Sequence, residues 1–303
     1  MDNADVRFAD QDTKGKRPVT YGLTINNNPT VQDVWNSTPV WGYPYASSSV
    51  APAPMATAQI DGNLGQQVTG LTAYTLWNNM VYGEFGFYRS SQIGGVQPPD
   101  TSSENVLKGG APYWRIAVQH NWGLHYLELG TYGIVANMYP GAGNPLSGST
   151  NRYTDGALDA QYQIQMGQHT ITAHSTWIWE RQRLRAAYAL MEAANPTDIL
   201  RTFKIDGTYY NNRRYGGTLA FFTTGGSEDA GLYAPNPIDG SRTGKPDSTG
   251  WIAEMDYVPW SNTKLSLQYT MYTRFNGAGE NYDGYGRAAS DNNNLYLNVW
   301  LMY

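Results

Sequence analysis

The side chains best equipped for chemistry are four histidines and a set of carboxylates and bases lying in stretches of alternating polarity. His174 precedes Ser175, a pairing of base and nucleophile. Neighbours on a strand project to opposite faces, however, so the two form no dyad. His169 and His174 are five positions apart and also fall on opposite faces, which sets them against a shared metal; His120 and His125 complete the set. Cysteine is absent, which excludes a disulfide, a thiolate metal site, a cysteine nucleophile and covalent haem attachment within these residues. No Gly-x-Gly-x-x-Gly fingerprint, phosphate-cradling loop or His-Glu-x-x-His motif occurs, and no carboxylate pair is marked out for glycoside hydrolysis. The chain therefore reads as a non-enzyme, with no catalytic residue, no metal ligand and no cofactor held within it. A net charge of -5, without a basic stripe, argues against nucleic acid.

The elements that must carry these side chains are strands. Charged residues make up only 15% of the 303, far below the roughly 25% of soluble domains. Yet mean hydropathy is negative and no run of about 18 apolar residues exists, so helices do not span a membrane here. Period-2 alternation predicts about twelve strands of roughly ten or more residues. They lie near 19–27, 67–77, 80–89, 113–122, 124–137, 158–166, 170–180, 198–210, 214–224, 250–258, 264–274 and 294–303. In the last, Leu295, Leu297, Val299, Leu301 and Tyr303 share one face. Good helix formers over Arg181 to Ala194 predict a helix there.

Connections between these runs alternate strictly. Short turns fall at 78–79, 122–123, 167–169, 211–213 and 259–261, and long loops at 28–66, 90–111, 140–150, 225–249 and 277–291. A soluble sandwich has no reason to segregate loop lengths in this way; a bacterial outer-membrane barrel does, with short turns in the periplasm. The expectation is an all-β, antiparallel transmembrane barrel of an even number of strands, about twelve or more. It forms one domain over 1–303 in the bacterial outer membrane, with a periplasmic C-terminus. Residues 1–17 are either a periplasmic segment or the remnant of an earlier strand. The polar start at Met1 is no signal peptide, so a mature form or a piece of a longer chain is expected. The 24 Tyr and 10 Trp suit interfacial girdles, placing Trp77, Trp122, Trp177, Trp179, Trp251, Trp260 and Trp300 near strand ends.

Two segments carry a family resemblance: Tyr21 to Pro39, with Asn26-Asn27-Asn28-Pro29 and Trp35-Asn36-Ser37, and Ser290 to Leu297, with Asp291-Asn292-Asn293-Asn294. Together with the terminal aromatic strand they resemble the barrel portion of cytochrome-linked outer-membrane proteins, fused cytochrome–porins associated with extracellular electron transfer. The resemblance implies a haem segment upstream or a periplasmic or extracellular cytochrome as partner. It also implies outer-membrane lipid around the wall and a homo-oligomer, porins being frequently trimeric. The chain has no Cys-x-x-Cys-His, so no haem role passes to any residue here.

Charges facing lipid cost about 2–4 kcal/mol each for Arg or Lys at mid-bilayer, so polar-face charges are expected to line the lumen. These are Glu84, Arg115, Glu128, Asp159, Lys204, Asp206, Glu254, Asp256, Lys264, Gln268 and Arg274, with Gln119, Gln161, Gln163, Gln165 and Glu180 beside them. Their carboxylates outnumber their bases, which implies a modest preference for cations; the alternative is a charge network that braces the wall. The loop 28–66 carries Trp35, Trp41, Tyr43 and Tyr45 and is too long for a turn. It either folds inward as a constriction or packs outside on neighbouring loops. Three readings follow: passive passage of small polar solutes or ions, a barrel sheathing an electron-transfer partner, and a soluble, secreted β-rich carbohydrate-binding protein.

Overall fold

In the computed structural model, the described residues are 3–13, 15, 17–38, 44–45, 47–48, 50–90, 105–140 and 148–301. They form one thirteen-stranded sheet in which each strand pairs with its neighbour in sequence. The strands are β1 (Asp5–Asp12), β2 (Val19–Asn26), β3 (Val68–Trp77), β4 (Val81–Ser90), β5 (Ala111–Trp122), β6 (His125–Met138) and β7 (Asn151–Met166). After them come β8 (His169–Arg183), β9 (Thr197–Asn211), β10 (Tyr215–Gly226), β11 (Ser248–Trp260), β12 (Thr263–Arg274) and β13 (Asn294–Leu301).

All pairings are antiparallel. Such a meander leaves every short turn on one end and every long loop on the other, as the connection lengths predict. The loop between β2 and β3 hydrogen-bonds to strands from β1 round to β8 and reaches the loop after β12, through Arg7 and Asn276 at the extremes. One loop can touch so many strands only if the sheet curls about it, and the molecule is a β-barrel.

The wall alternates as a membrane-spanning wall must. Phe85, Phe87, Ile116, Val118, Leu129, Leu158, Leu219, Met255, Leu267, Leu295 and Leu297 project outward and are exposed, while their chain neighbours are turned in. An apolar outside and a polar inside invert the soluble pattern and fit lipid. Trp77, Trp122 and Trp260 crown the turn end; Trp177, Trp179 and Trp251 lie towards the loop end, as girdles. Trp300 instead lies on the inner face opposite Lys264, because it pairs across from a lumen position.

Three expectations change. Residues Asp5–Asp12 are a strand, fully paired with β2, in addition to the runs read from alternation. The described strands consequently number thirteen rather than an even count, and β1 and β13 each have one paired neighbour. The helix over Arg181 to Ala194 shrinks to a single turn, α1 (Arg185–Ala189). There β8 runs on to Arg183, because pairing of Arg181, Gln182 and Arg183 with both β7 and β9 outweighs local helix propensity.

Candidate functional site: a loop folded into the barrel

The described residues of the segment 27–67 fold inward. Its two ends meet where Gln66 N donates to Asn27 O at 2.8 Å, so the loop leaves and re-enters the wall at one point. Its first half is held by charge. Arg115, on the inner face of β5 and buried, grips Asp159 of β7 through both terminal nitrogens at 2.7 and 3.3 Å. The same guanidinium lies 3.2 Å from Glu128 of β6 and 3.4 Å from Asp33 of the loop. Asp33 in turn accepts from the backbone N–H groups of Trp35, Ser37 and Thr38, so its carboxylate both shapes the turn and anchors it. Ser37 Oγ donates to Asp159 at 2.5 Å, and Thr176 Oγ1 donates to the Ser37 carbonyl. A bidentate, hydrogen-bonded arginine satisfies a buried cluster of acids better than a point charge would.

Neighbouring contacts complete the seat. Gln32 Nε2 donates to Glu84 at 2.8 Å and to Tyr88 at 3.3 Å. Gly70 makes room for that tyrosine, since a Cβ there would lie 2.2 Å from the Tyr88 ring. Trp35 Nε1 donates to Gln119 at 2.9 Å and to Tyr126, while its ring lies 5.1 Å from the Arg115 guanidinium.

The second half is held by backbone amides and apolar packing. In a short helical turn, Gln59–Asn63, the N–H of Gln59 donates to Glu180 at 2.6 Å and that of Ile60 to Asp155 at 2.8 Å. Lys204 of β9 pairs with Asp61 at 2.6 Å. Ala58, Ile60 and Leu64 bury themselves against inward residues of the wall, among them Tyr113, Ile134, Ile178 and Leu200. The protein's main apolar core thus lies inside the barrel.

A gap of about 220 Å³ lies between the loop and β9–β12, bordered by Tyr45, Pro54, Asp61, Lys204, Phe222 and Tyr272. Its border carries one acid and one base, bonded to each other.

The sequence-derived residues divide by height. Glu84, Arg115, Glu128 and Asp159 form the anchor with Trp35, and Lys204 and Tyr45 border the gap. Asp206 points inward and pairs with His174 at 2.9 Å. Towards the turn end, Lys264 bridges Glu254 at 3.5 Å and Asp256 at 3.1 Å, and Asp256 also accepts from Tyr210 and Ser266. Gln268 is buried on the same inner face. Arg274 sits apart at the loop-end rim, exposed, 3.5 Å from Asp247. Trp41 and Tyr43 lie outside the described residues. Sequence reasoning missed Gln32, Asp33, Ser37, Asp61 and Asp155. Asp155 continues the alternation of Asp159 and was legible in principle; the loop residues have no period from which their direction can be read.

No protein-family model and no curated protein sequence matches the chain. Solved structures of similar shape include OmpT (in-vitro folded), an outer membrane protein of Vibrio cholerae, at 10% identity and TM-score 0.47, covering 100% of this chain and 90% of that one. Its trimer form gives 10% and 0.46, with 99% and 97% covered. An anion-selective porin from Comamonas acidovorans also gives 10% and 0.46, with 99% and 87% covered.

Proposed function

We propose that the chain is an outer-membrane porin in which the inward loop is the constriction and the gap beside it is the path for small polar solutes and ions. The observation that carries this reading is the seating of 27–67 on inward carboxylates and Arg115, which leaves a space bordered by Asp61 and Lys204. The same seating speaks against a sheath around a haem protein, since the loop occupies space that such a partner would need. The outward apolar wall speaks against a soluble carbohydrate-binding protein. Short turns then face the periplasm, and long loops face outside.

A pore narrowed between one acid and one base is tuned by either. Single-channel recording in a planar bilayer is expected to give discrete steps. Lys204→Gln should move the reversal potential towards cation preference, and Asp61→Asn towards anion preference. Folded protein that gives no steps above background would overturn the porin reading; steps with selectivity indifferent to both changes would remove the gap from the path.

A further inference from the structure

The outer wall carries a charge pattern that neither lipid tails nor the pore explains. Arg152 of β7, Arg181 and Arg183 of β8, and Arg201 of β9 all project outward and are exposed. They lie at the loop ends of adjacent strands, with Arg152 directly opposite Arg183 in register. Arg201 lies opposite Trp179, one step diagonal from Arg181. Like charges placed opposite across a sheet repel at Cβ separations of about 5 Å. Among the described residues none of the four has an ion pair. The carboxylates nearby are otherwise engaged or off the wall. Asp198 faces inward. Asp247 accepts from Gly226 N at 3.2 Å and pairs with Arg274. Glu192 and Glu228 stand exposed in loops.

Beside Arg181, with Arg201 in its border, a groove of about 470 Å³ runs between β9 and β10 and down towards mid-wall, bordered also by Trp177, Ile199, Phe203, Thr223 and Gly225. Gly225, opposite Arg201, borders it without a side chain. Cations around the loop-end part of a largely apolar groove, at the height of the Trp177–Trp179 girdle, match a lipid seen from the side: anionic head at the rim and acyl chain along the wall. Above them the loop 184–196 exposes Tyr188, Leu190 and Met191.

We infer that this face binds one lipid whose head carries more than one phosphate, the phosphorylated lipopolysaccharide of the outer leaflet. A single phosphate would leave part of the like-charge repulsion in place, whereas several phosphates satisfy adjacent guanidinium forks. The inference rests on the proposed orientation, with loops outside, and not on conduction.

The test is native mass spectrometry of the delipidated barrel, titrated with lipopolysaccharide and with its enzymatically dephosphorylated form. The phosphorylated lipid is expected to bind one per chain, at least about tenfold more tightly than the other. The double variant Arg181→Gln, Arg183→Gln should lose that preference, while Arg181→Lys, Arg183→Lys should keep most of it. Heat-modifiable gel mobility checks that each variant folds. Should the double variant fail to fold, Arg201→Gln alone, with a several-fold loss expected, decides the matter. Equal binding of both lipids, or binding unmoved by the glutamine variants, overturns the proposal. So does an altered oligomeric state with unaltered lipid binding, which would give the face to a second copy. Orientation is read separately: Met191→Cys, in a chain without other cysteines, should react with a membrane-impermeant maleimide on intact cells. Failure to react would put the face in the wrong leaflet, whatever the conductance.

Discussion

At the scale of the residue, Arg115 does the most. Three carboxylates converge on one buried guanidinium, so removing it leaves acids buried without a counter-charge. Arg115→Gln is expected to cost about 3–5 kcal/mol and to lower the temperature of the heat-modifiable transition markedly. Glu128→Gln should cost far less, because the bidentate grip on Asp159 survives it. Comparable losses in the two variants would mean that the cluster does not hold the loop. The wall half of this site was legible in the sequence, because period 2 fixes which way Glu84, Arg115, Glu128 and Asp159 point. The loop half was not. Gln32, Asp33 and Ser37 belong to a segment with no repeat, and their partners are set by how the whole loop closes.

At the scale of the element, the loops are built as clasps rather than coils. Asp229, after β10, accepts backbone N–H groups from Ala194 and Asn195 of the preceding long loop, and from Gly231 and Leu232 of its own. The loops meet closely at Gly231, where a Cβ would stand 2.9 Å from Ala194 N. Burial pushes the Asp229 carboxyl up, but the four amides outweigh it and hold it below the usual carboxylate range. A depressed folded value means that the clasp's stability is fully present above the unfolded value, near 3.9. It is lost as pH falls through the lower folded value. Hydrogen-exchange protection at Ala194, Asn195, Gly231 and Leu232, corrected for the intrinsic pH dependence of amide exchange, should therefore stay constant above about pH 5. It should drop only in stronger acid, whereas Asp229→Asn should lower it already at neutral pH. Protection that fell steadily from pH 7 downward would contradict the clasp. The sequence predicted a helix beside this clasp, since Arg, Leu and Ala favour one. What it could not show was that both neighbours of β8 extend far enough to pair with Arg181–Arg183 and keep that end of the strand extended.

At the scale of the molecule, wall and plug draw on different forces, and that separation can be tested. The wall is a ladder of antiparallel backbone pairs, legible from alternation and loop lengths because both are local properties of the chain. The plug is a loop packed inside it, whose chain leaves and re-enters the wall at one place, where Asn27 and Gln66 already hydrogen-bond. Residues 28–65 can accordingly be replaced by a short Gly-rich turn without stretching β2 or β3. The wall should persist, since none of its strand pairs uses the loop, and the shortened chain should still show heat-modifiable mobility. Arg115, Glu128 and Asp159 would remain paired with one another and become hydrated. The apolar residues that the loop covers, such as Ile134, Ile178 and Leu200, would face water, so the transition temperature should fall although the fold survives. Conductance should rise several-fold, and its dependence on Lys204 should weaken because Asp61 leaves with the loop. A shortened barrel that folds yet conducts no better than the full chain would show that the narrowest point lies elsewhere, with the cluster of Glu254, Asp256 and Lys264 near the turn end the next place to cut.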